Sequence, residues 1–74
     1  MLDPFEILKT LHALSAVDEY RAIEVELLAK IIGVTPREID DALKVLRGMD
    51  YVILNGPKVY LTELGIMKIS SLFC

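Results

Sequence analysis

The chain holds one cysteine, Cys74, and one histidine, His12. A single cysteine closes no disulfide within the chain. One thiol and one imidazole, with the carboxylates scattered, do not make up a zinc-type ligand set, so neither a metal nor any other cofactor is expected. Tryptophan and glutamine are absent, and asparagine occurs only at Asn55. Set against many Ile, Val, Leu and charged residues, that scarcity has the cast of a thermophile. No apolar run approaches the ~20 residues that a bilayer requires. Asp3 and Glu6 occupy the place where a signal peptide carries its basic segment. The expectation is a cytoplasmic protein. No nucleophile–base pair or glycine-rich phosphate loop is present, so no enzyme is expected either.

What is present is dense in apolar side chains: 54% of the 74 residues are hydrophobic, and the mean hydropathy is +0.49. A chain of this length is read as one domain, 1–74, which hides only roughly 60% of its unfolded surface. With disulfides and metals excluded, its support must come from packing and association. The net charge is −3 and the pI about 4.9. Such a balance lacks the basic footprint of most nucleic-acid binders, although local patches count for more than the sum.

The local signals divide the chain clearly. Asp3-Pro4-Phe5-Glu6 reads as a helix start with capping-box spacing, and the helix is expected to reach about Ala16. Ile7, Leu11 and Leu14 form its stripe, flanked by Phe5, Leu8 and His12. His12 reads as a packed or interfacial residue. Arg21-Ala22-Ile23 suits a short strand. Val25, Leu28, Ala29 and Ile32 repeat at helical spacing over 24–32, and Gly33 stops that helix. Thr35-Pro36-Arg37-Glu38 opens the next, whose stripe is Ile39, Ala42, Leu43 and Leu46 and whose end lies near Gly48 or Met49. Two β-rich runs, Tyr51–Leu54 and Val59–Leu61, flank Asn55-Gly56-Pro57-Lys58, a hairpin signal. Thr62 can cap a last helix through Phe73. Tyr20, Tyr51 and Tyr60 read as packing residues.

Two helices joined across Gly33-Val34-Thr35 meet at a steep angle, which leaves the outer face of the second free. The run Leu28-Ala29-Lys30-Ile31-Ile32-Gly33-Val34-Thr35-Pro36-Arg37-Glu38-Ile39 resembles the helix–turn–helix of winged-helix proteins. Leu61-Thr62-Glu63-Leu64-Gly65 is similar to the Leu-Thr-x-x-Gly that follows the wing in that family. The resemblance covers the whole chain. It implies an α+β, mostly α, winged helix–turn–helix fold: a three-helix core, a β-hairpin wing and a C-terminal helix.

The resemblance further implies double-stranded DNA binding by a small transcription regulator of the stand-alone prokaryotic or archaeal type. Helix 36–48 would enter the major groove and wing 55–58 would lie on the backbone. By position, the groove-facing residues are Thr35, Pro36, Arg37, Asp40, Asp41 and Lys44, while the wing offers Asn55, Gly56 and Lys58. Lys30, Arg37, Lys44, Arg47 and Lys58 would meet phosphates. Asp40 and Asp41 oppose that role, although either can accept from a cytosine amino group. A second reading stays open, in which the domain is a protein–protein adaptor with little DNA affinity. The last helix carries two apolar sides, Leu64 with Met67 and, nearly opposite, Ile66, Ile69 and Phe73. Only one can face the core, so a homodimer is expected through the C-terminal and N-terminal helices, using Phe5, Leu8, Ile66, Ile69 and Phe73. No small-molecule ligand is indicated.

Overall fold

The computed structural model describes residues 2–73, with side chains as far as Ser71. Asp3 opens α1 (Pro4–Ala13) by accepting from the Phe5 amide at 3.0 Å, with Pro4 in the first turn. Glu6 does not close a capping box; its carboxylate meets Lys9 Nζ at 3.1 Å. The helix stops three residues before the expected end because Ser15 adopts a left-handed φ of 58°. That bend carries Ala16 into the core, where its carbonyl accepts from the Leu61 amide at 2.8 Å. Leu14, expected on the buried stripe, lies at the frayed end with 39% of its surface exposed. His12 is exposed rather than packed.

A single 3-10 turn at Glu19–Arg21 replaces the start of the expected short strand. The strand itself, β1, is Ile23–Glu24. Next come α2 (Val25–Ile32) and α3 (Pro36–Gly48). Gly33 ends α2 with φ 84°, a conformation that β-carbons resist, and its amide bonds to the Ala29 carbonyl. Thr35 and Glu38 form a reciprocal capping box at the start of α3. All four residues of the α3 stripe, Ile39, Ala42, Leu43 and Leu46, are buried.

The hairpin strands are β2 (Val52–Asn55) and β3 (Lys58–Leu61). The strands run to Asn55 and Lys58, which pair across the turn, so the loop is Gly56-Pro57 alone. Gly56 has φ 60°, and the proline ring fixes a negative φ at the next residue. Those signs fit a type II′ turn, whereas Asn-Gly at the centre would have given type I′. All three strands are antiparallel, with β3 in the middle of the order β1-β3-β2.

The last helix is α4 (Glu63–Phe73). Thr62 fastens its start: Oγ1 accepts from the Gly65 amide at 3.0 Å and donates to the Asp50 carbonyl, while the Thr62 amide donates to the Tyr51 carbonyl at 3.0 Å. Gly65 lies so close to the Tyr51 carbonyl that a β-carbon there would overlap it. Ile69, one turn further on, is fully buried, and Ile66 is half-buried. The exposed side of α4 carries Leu64 and Met67. For two of the residues expected at a dimer surface this is a correction. Leu8 and Ile69 have no exposed area and belong to the core. Phe5 is half-buried, with Lys68 Nζ 5.6 Å from its ring centre, and Ile66 packs against the core as well. The Phe73 side chain lies outside the described residues.

Candidate nucleic-acid interface

At about 3.6 residues per turn, burying Ile39, Ala42, Leu43 and Leu46 turns Arg37, Asp41, Lys44 and Gly48 directly outward. Asp40 and Arg47 fall on one flank, Glu38 and Val45 on the other. Thr35, Pro36, Arg37, Asp40, Asp41 and Lys44 are all exposed and share this one surface. The fold therefore gathers the residues that the sequence singled out on this helix.

Their charges do not add up to a simple basic stripe. Lys44 Nζ lies 3.7 Å from an Asp40 carboxylate oxygen, both side chains well exposed. Such a pair on an open helix contributes about 0.5 kcal/mol or less. Water and salt can separate it, and a phosphate can compete for the ammonium. Glu38 is committed to the cap, with its carboxylate 3.1 Å from Thr35 Oγ1 and 3.3 Å from the Thr35 amide. Asp41 borders a groove with Leu2, Pro4 and Val45. Arg37 and Arg47 are exposed and make no ion pair among the described residues. Lys30 of α2 borders the crease that also holds Pro36, so a further cation stands near the start of α3.

The wing is a separate and shorter element than expected. Its Pro57 carbonyl accepts from the Val25 amide at 2.9 Å, which ties the turn to the start of α2. The register sets Glu24 of β1 opposite Lys58. A cross-strand neighbour of opposite charge reduces what Lys58 presents to a phosphate. Sequence reasoning missed Glu24 because a two-residue strand carries almost no periodic signal. Asn55, Gly56 and Lys58 are exposed.

No side chain of charged or polar type is buried among the described residues. Within the same residues no group of three or more His, Cys, Asp or Glu is placed to hold a metal ion. No helix among them is long and apolar enough to cross a membrane.

Helices α2 and α3 across a left-handed glycine, a wing paired to β1 and a helix fastened behind it define a winged helix–turn–helix. The solved structure of TubR from Bacillus megaterium pBM400 has the same fold, with a TM-score of 0.84. That likeness covers 99% of this chain and 86% of TubR at 21% sequence identity. No family model and no curated protein matches the sequence.

Proposed function

We propose that this chain, as a single winged-helix domain, binds double-stranded DNA as a small transcription regulator. In this reading α3 enters the major groove and the wing rests on the backbone. The observation that carries it is the outward pole of α3, where Arg37 and Lys44 stand in solvent while the opposite face of the helix is locked in the core. A rigid helix with long cationic side chains on its free face meets the geometric need of groove reading. Arg37 has the planar fork suited to guanine or phosphate, and Lys44 supplies a point charge.

Between α2 and α3 the cations Lys30, Arg37, Lys44 and Arg47 are matched by Glu26, Glu38, Asp40 and Asp41. One copy therefore gathers little phosphate affinity, and the reading includes pairing of two copies, which doubles the contacts. Leu27 and Ile31 sit one turn apart on α2 and expose 49% and 50% of their surface. We assign the self-contact to this apolar pair, whose two half-exposed side chains on one helix face would be covered by the same pair of a second copy.

The test compares the parent with Arg37→Ala/Lys44→Ala in duplex binding by fluorescence anisotropy. The double variant is expected to bind more weakly, and its salt slope should flatten by roughly one unit per lost phosphate contact. Binding equal to the parent at low salt would remove α3 as the reading element. Sedimentation of Leu27→Ser/Ile31→Ser should show the mass of one chain where the parent shows two.

A further inference from the structure

On the outer side of the sheet, Ile53 and Tyr60 are register partners on β2 and β3. With Tyr20 and Leu64 they line a shallow, open groove of about 750 Å³. Ile53 is 42%, Leu64 52% and Tyr20 95% exposed. Tyr20 was expected to pack, yet it stands in solvent on a 3-10 turn held by Asp18, whose carboxylate accepts from the Arg21 amide at 2.9 Å. Tyrosine has only two side-chain torsions to fix, and the backbone beneath this one is already pinned, so it loses little freedom on contact and makes an effective anchor.

The rim is uniformly acidic. Glu19, Asp50 and Glu63 border the groove, and none of them makes an ion pair among the described residues. Asp18 also borders it and has Arg21 at 3.9 Å. No other cation makes an ion pair with this rim among the described residues: Lys9 is held by Glu6, and Lys68 lies over Phe5. The remaining five belong to the helix–turn–helix and wing, and Arg47, three residues before Asp50, makes no ion pair with it.

We propose that this groove docks a basic amphipathic segment of a partner protein, one that carries lysine or arginine beside apolar side chains. Apolar side chains of that segment would lie against Tyr20, Ile53 and Leu64, while its cations meet Glu19, Asp50 and Glu63. A negative rim around an apolar floor steers such a segment in and repels nucleic acid. The groove uses none of the α3 residues assigned to DNA, so the inference stands or falls apart from that assignment.

The experiment selects a random peptide library displayed on phage against the parent chain, then measures the enriched peptides in solution. Enrichment of peptides that combine Lys or Arg with apolar residues is expected. Their binding should weaken about tenfold with Tyr20→Ser, and again with Glu19→Gln/Glu63→Gln. Amide chemical-shift changes should concentrate at Val17–Tyr20, Asp50–Ile53 and Tyr60–Leu64. Duplex affinity and sedimentation mass of the variants should match the parent. No enrichment, enrichment of acidic peptides, binding indifferent to Tyr20→Ser, or shifts centred on α3 would each overturn the proposal. So would a loss of self-association in Tyr20→Ser, because a second copy would then occupy the groove.

Discussion

Asp40 and Lys44 stand one turn apart on α3, with 3.7 Å between ammonium and carboxylate, so the ammonium proposed to face the groove already has a carboxylate beside it. Removing that charge while keeping the shape frees Lys44 and removes a repulsion toward phosphate. Asp40→Asn is therefore expected to tighten duplex binding and steepen its salt dependence by a fraction of one contact, read by anisotropy at two salt concentrations. Weaker binding would mean that Asp40 itself accepts from a base. Gly65 governs a different property. Its missing β-carbon lets α4 lie against the Tyr51 carbonyl, so Gly65→Ala must push the helix off or bend the strand start. A loss of about 1–3 kcal/mol in urea unfolding is expected, as for overpacked cores. No change would show that α4 is free to shift.

Among the elements, α3 was the most legible in the sequence. Thr35, Pro36 and Glu38 at the start and a four-residue apolar stripe leave one helix and one face as the solution, and the structure has both. Thr35→Ala should cost about 1 kcal/mol in thermal or urea unfolding, because the Glu38 amide, which donates to Thr35 Oγ1 at 3.2 Å, loses its partner. Helix α4 was the least legible. Two apolar stripes lie on it, and hydrophobicity alone gives no reason to bury one rather than the other. The deciding contact is between Gly65 and the backbone carbonyl of Tyr51, which lies outside the helix and so outside either stripe's pattern. Gly65 and Ile69 share a face at i, i+4 spacing, and that coincidence is the signal from which the inward side could have been read. The wing shows the same limit: Asn55 and Gly56 announce a turn, but the tie from Pro57 to Val25 depends on β1, two residues long.

For the whole molecule, charge is sorted by place. The helix–turn–helix carries its cations outward among compensating carboxylates, while the groove by Tyr20 and Ile53 carries Glu19, Asp50 and Glu63 with no ion-pair partner among the described residues. An acidic pI of about 4.9 is thus compatible with a surface for phosphates, since much of the excess lies elsewhere. The composition could not reveal that division, because it depends on the fold bringing Glu19, Asp50 and Glu63 to one rim. The measurement that tests the central claim most directly is binding of the parent chain to random duplex by fluorescence anisotropy across a salt series, with mass followed by sedimentation. The account expects saturable binding at low salt, a log–log slope corresponding to about four or more phosphate contacts per pair of chains, and the mass of two chains. Duplex left unbound at low salt, or bound with no dependence on salt, would contradict it.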